Sequence, residues 1–99
     1  MASHQSVTER AMFGGLAFLL HGNMVLAVSS RGGLMVRVGA GAYEHALMEA
    51  HAAAVEMSGR AMRGWVLVDA AGLREPDDLR AWIERGLAFA RTLPPKHRS

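Results

Sequence analysis

Residues 16–38 read LAFLLHGNMVLAVSSRGGLMVRV, three apolar runs divided by two turn signals. Each run is strand-length and too short for an ordinary helix. His21-Gly22-Asn23 ends the first run, and Ser29-Ser30-Arg31-Gly32-Gly33 ends the second. Glycine and asparagine tolerate positive φ at low cost, which tight hairpins need. The stretch is therefore expected to form a three-strand meander against which the rest packs. Alternate residues of an extended chain share a face. Leu16, Phe18 and Leu20, then Met24, Leu26 and Val28, then Leu34, Val36 and Val38 make the bulkier face, expected to carry the helices. Ala17, Leu19, Val25, Ala27, Met35 and Arg37 make the other. That second face is small but not polar, which is unusual for a two-layer protein with one wet sheet face.

The remaining elements follow from periodicity and punctuation. Residues 7–13 enter the sheet or lead into it. Gly39-Ala40-Gly41 connects the meander to a helix over residues 42–53, with Tyr43, Ala46, Leu47, Ala50 and Ala54 on one face. Short apolar runs at 55–57 and 62–69 read as strands. Pro76, then Asp77 and Asp78, open a second helix in accord with its dipole. Its stripe is Leu79, Trp82, Ile83, Gly86, Leu87, Ala90 and Leu93, and Pro94-Pro95 stops it. The expected order is β-β-β-α-β-β-α. The fold class is α+β: an antiparallel sheet of about five strands with helices packed on one face, two-layer. Residues 8–95 form the domain, residues 1–7 a loose start, and residues 96–99 a basic tail.

Ninety-nine residues without cysteine exclude disulfides, thiol nucleophiles and Cys-based metal sites, and favour a cytoplasmic address. No apolar run reaches membrane-spanning length, so no membrane partner is expected. Eleven cations oppose nine acids, a net charge of +2, and no basic stripe results.

Chemistry is sparse. Gly39-x-Gly41 has Glu44 where a third glycine of a dinucleotide loop would stand, and hairpins precede it. His45 and Glu49 sit four apart without convergent further ligands, so a solvated pair is expected rather than a metal site. Asp69 is expected to pair with Arg60 or Arg63, and both tryptophans to lie in the core. No nucleophile, base and oxyanion donor converge. The expectation is therefore no enzyme, no catalytic residue, no cofactor and no metal. Seven methionines suit irregular packing and adaptable contact surfaces. Met35, Met48 and Met62, with Arg60 and Arg63, are the candidate partner surface. Two other readings compete. One is direct nucleic-acid binding through Arg31, Arg60, Arg63 and the basic tail, which the sparse aromatics disfavour. The other is a small-molecule or metal-binding domain.

Several blocks in order carry a resemblance: Met12-Phe13-Gly14-Gly15-Leu16-Ala17-Phe18, Gly32 through Gly39, Tyr43-Glu44, Gly59 through Val68 with Met62-Arg63-Gly64-Trp65 at its centre, Trp82-Ile83-Glu84-Arg85, and Leu87-Ala88-Phe89-Ala90. Together they resemble the N-terminal domain of TfoX/Sxy-type competence regulators, standing alone, over residues 8–95. The resemblance implies a small α+β domain with an antiparallel sheet, no catalytic residues, and a role as an accessory in transcription, with another regulatory protein as a candidate partner. Members usually open with a helix before the Met-Phe-Gly-Gly block. Only eleven residues precede Met12 here, and His4-Gln5-Ser6 is not an apolar helix face. That helix is expected to be missing or very short, leaving apolar surface that a second chain covers. A homodimer through bare sheet or helix surface is the expectation.

Overall fold

The computed structural model describes residues 7–12, 15–28 and 32–94. They form β1 (Val7–Met12), β2 (Gly15–Leu20), β3 (Asn23–Val28), β4 (Leu34–Arg37), α1 (Ala40–Leu47), β5 (Ala52–Met57), β6 (Arg60–Val68), a 3₁₀ turn (Ala70–Leu73) and α2 (Pro76–Ala90). The strands make one antiparallel sheet in the order β1-β2-β3-β4-β6-β5. The chain leaves β4 through α1, forms β5 at the far edge, and returns through β6 into the gap beside β4. The architecture is α+β, with α2 over β3 and β4 and α1 over β5 and β6.

The sheet has six strands rather than about five, because residues 7–12 pair along their whole length with β2, from Val7↔Leu20 to Met12↔Gly15. Residues 1–6 and 96–99, the rest of the expected loose start and the basic tail, lie outside the described residues, as do Ser29, Ser30 and Arg31 of the second turn. The first turn is tight, with His21 at φ 52 and Gly22 at φ 84.

One side of the sheet holds the main core: Leu20, Leu26, Leu34, Val36, Val66 and Val68 against Tyr43, Ala46, Trp82, Leu87 and Ala90. The bulkier face thus carries the helices, with one correction. The register slips between β2 and β3, so that Phe18 faces Leu26 but Leu19 faces Met24. Val25 is the extra residue, and it joins the helix-side core while Met24 turns to the other face. A bulge breaks the two-residue period locally, which strict alternation does not foresee. Gly86 answers the bulge: a Cβ there would stand 2.9 Å from Val25 Cγ1, so α2 approaches the sheet closely at that point.

α1 ends five residues or more before the expected boundary. Its C-cap is Met48, His51 turns at φ 70, and Ala52, Ala53 and Ala54 pair with Val68, Leu67 and Val66. Alanine favours helix by under 1 kcal/mol per residue over most alternatives, and sheet pairing outweighs that preference here. Ala50 lies exposed in the turn. α2 opens at Pro76 as expected, with Asp77 and Asp78 in its first turn, and ends at Ala90 before the double proline.

A small cap joins β6 to α2. Asp69 Oδ1 accepts the Gly72 N–H at 3.1 Å and lies 3.2 Å from His51 Nδ1. That pairing with Arg60 or Arg63 does not occur, because Arg60 opens β6 and Arg63 lies in its first half, well back along a strand that rises ~3.3 Å per residue. Removing the cap by Asp69→Ala should lower stability by about 1 kcal/mol. The exposed His51 pair should add little to that. Urea denaturation reads the change, and a loss above about 2 kcal/mol would contradict a simple cap.

Candidate interaction surfaces

Among the described residues, two apolar surfaces have no helix over them. The first is the helix-free face of the sheet. Cross-strand partners share a face, so the pairings set Ala17, Ala27, Met35, Leu67 and Ala53 in one row, with Leu19, Met24 and Trp65 beside them. Ala17, Leu19 and Ala27 are 0%, 7% and 3% exposed, with Met24 and Met35 packed on them. The register adds two charged positions to this face, Arg10 and Arg37. The Arg37 guanidinium lies 6.0 Å from the Trp65 ring and 5.5 Å from the Phe89 ring, and donates to the Met24 carbonyl oxygen at 3.3 Å. Trp65 is thus half-buried under an arginine rather than in the main core, whereas Trp82 is in it.

The second surface is a groove on the helix side, about 490 Å³ in volume. Its floor is Phe18, Val25, Leu26 and Leu34, and its α2 wall is Leu79, Ile83 and Leu87. Val7 and Glu9 of β1 close the opposite side. Of the four large hydrophobic residues exposed among the described residues, three border this groove: Val28 at 42%, Leu79 at 36%, and Leu16, paired to Val28, at 42%. Among the described residues, Glu9 is the one ionisable side chain in the lining.

The candidate partner residues do not form one patch. Met35 lies on the helix-free face, and Met48, 81% exposed, stands at the C-cap of α1. Arg60 opens β6 beside the turn from β5. Arg63 faces α1, with its guanidinium 5.4 Å from the Tyr43 ring and 3.5 Å from Glu44 Oε2. Met62 is half-buried next to it. Spacing alone missed the groove, because its walls come from strands and a helix more than 50 residues apart.

For ionic chemistry the described residues offer little convergence. No three His, Asp or Glu side chains among them are placed to hold a metal ion. Glu49 meets Arg85 Nη1 at 3.6 Å rather than His45, and Arg80 meets Asp77 at 3.4 Å. No helix among them is long and apolar enough to cross a membrane.

The family model described as the TfoX N-terminal domain matches residues 1–90, ending on the last residue of α2. The chain belongs to the TfoX N-terminal domain family. Among the curated proteins and the solved structures compared with it, none matches. The blocks characteristic of the TfoX N-terminal domain have structural work in this fold. Met12 ends β1 and Gly15 opens β2, and the two pair across the strands; Phe13 and Gly14 of the Met-Phe-Gly-Gly block lie outside the described residues. In the Met-Arg-Gly-Trp block, Gly64 sits at φ 98, and its carbonyl accepts the N–H groups of Val38 at 2.8 Å and Gly39 at 3.1 Å. Arg63 reaches the Tyr43-Glu44 block and Trp65 reaches Arg37, so the blocks meet where β4 turns into α1.

Proposed function

We propose that this TfoX N-terminal domain is a non-catalytic interaction domain, an accessory in transcription regulation, that pairs with a second copy of itself through the helix-free face of its sheet. The observation that carries the reading is the composition of that face. An antiparallel sheet with one wet face alternates apolar inward and polar outward. Here the outward row runs Ala17, Ala27, Met35, Leu67 and Ala53 across five strands. A two-fold contact uses one self-complementary patch twice. Six strands about 4.8 Å apart and roughly 17–20 Å long give a footprint of order 450 Å² per copy. Its accessible area is larger, so two such faces bury on the order of 1,000 Å² or more, the lower bound for a specific interface. The regulatory part of the reading rests on family membership alone.

Sedimentation equilibrium at tens of micromolar tests the pairing. The wild type is expected to be a dimer and Met35→Glu a folded monomer, since a carboxylate in that apolar row loses its water against the partner, a cost that a neighbouring arginine does not repay in full. A monomeric wild type ends the proposal. Salt-dependent retardation of duplex DNA would favour the nucleic-acid reading instead.

A further inference from the structure

The helix side of the sheet is wider than the two described helices that cover it. Six strands about 4.8 Å apart span ~24 Å, and packed helices lie about 8–10 Å apart, so roughly three would fill that width. α2 lies over β3 and β4, and α1 over β5 and β6. The strip over β1 and β2, beside α2, is the groove.

We propose that this groove is the docking site for one amphipathic α-helix of a partner protein, with apolar side chains at i, i+3 or i+4, and i+7 on its inner face and a lysine or arginine beside Glu9. Leu79, Ile83 and Leu87 recur every four residues along α2, a ridge ~12 Å long at 1.5 Å per residue. Such a ridge packs between the rows of side chains on a second helix. Phe18, Val25 and Leu26 form an apolar floor beneath, and Val28, with Leu16 paired across from it, continues the apolar surface into solvent. Three anchors on two helical turns match that length, which is the usual pattern of helix-in-groove recognition. Glu9 is the single charge among the described residues of the lining and sits on the wall opposite α2, so a cation on the incoming helix meets it and an acidic helix is repelled. A second copy of this chain is the poorer occupant. Of its described helices, α1 buries Tyr43 and Ala46, and α2 buries Trp82, Gly86, Leu87 and Ala90, which leaves only Leu79 and Ile83 on α2, short of three anchors.

Fluorescence anisotropy with a labelled peptide of leucine, alanine and lysine, ~14 residues or about 21 Å as a helix, tests the site. Its leucines are placed at three- and four-residue spacing. A scrambled peptide of equal composition and a version with glutamate for lysine are the controls. Saturable binding by the wild type is expected, with the scrambled peptide at least about tenfold weaker. Val28→Asp and Leu79→Asp change side chains that already face solvent, so circular dichroism should show them folded. Each should weaken binding about tenfold or more, as the loss of a central anchor does. Glu9→Lys should reverse the preference between the lysine and glutamate peptides. Met35→Glu, on the other face, should leave peptide binding unchanged. Absence of wild-type binding, equal binding of the scrambled peptide, or indifference to both aspartates would overturn the assignment. Conversion of a dimer to a monomer by those aspartates would also overturn it, by placing a second copy in the groove. A monomeric wild type that still binds the peptide would sink the dimer reading and leave this one standing.

Discussion

Gly39→Ala is expected to lower stability by about 3 kcal/mol or more, two additive causes of roughly 1–3 kcal/mol each. Gly39 holds φ 88 and ψ 157 at the N-cap of α1, a region that residues with a Cβ scarcely enter. A Cβ built there would stand 2.4 Å from Phe89 Cδ1 and 2.5 Å from Cε1, so the ring of α2 occupies the space. The backbone has no room to relax, because the Gly39 N–H donates to the Gly64 carbonyl at 3.1 Å. For a domain of this size the loss should lower Tm by roughly 12 °C or more. Phe89→Ala separates the two causes. In the Gly39→Ala background it removes the overlap but not the backbone strain, so the double variant should be more stable than the sum of the singles by about 1–2 kcal/mol. Calorimetry placing Gly39→Ala within 1 kcal/mol of the wild type would show that the junction yields easily.

Trp82→Ala should cost about 3–5 kcal/mol, while Trp65→Ala should cost about 1–2 kcal/mol. Trp82 is 7% exposed at the centre of the layer between α2 and the sheet. Its ring also carries the Arg85 guanidinium at 4.6 Å, and that arginine reaches Glu49 at 3.6 Å beyond the end of α1. Truncation therefore leaves a cavity and loosens a contact between the two helical segments. Trp65 lies half-buried on the helix-free face under Arg37. Urea denaturation in the Met35→Glu background keeps self-association out of the comparison. Equal losses for the two tryptophans would mean that the helix-free face is as tightly packed as the core.

The contrast between the tryptophans marks the limit of pattern reading. Both stand in apolar company, Trp65 within Gly64-Trp65-Val66-Leu67-Val68 and Trp82 within a helical stripe. Strand alternation puts Trp65 opposite in sense to Val66, but which sense faces the helices depends on the register with β4, where Arg37 lies across from Trp65. The partner residues scattered for a related reason. Met35, Met48 and Met62 share a chemistry but not a surface, and side-chain type alone carries no address. The groove was not legible in residue type or spacing. Its walls required knowing that α2 lies over β3 and β4 rather than over β1 and β2.

Local chemistry alone determined the meander, the first turn at His21 and Gly22, the start of α2 at Pro76, and an α+β arrangement with helices on the bulkier face. These depend on interactions within a few residues: φ preferences, dipole complementarity and side-chain period. Tertiary contact decided the bulge that turns Val25 toward Gly86, the early end of α1 where alanines pair with β6, and the place of β1 as the outer strand. In each case two local conformations differ by only about 1 kcal/mol or less, and partners distant in sequence supply enough burial and hydrogen bonding to choose between them.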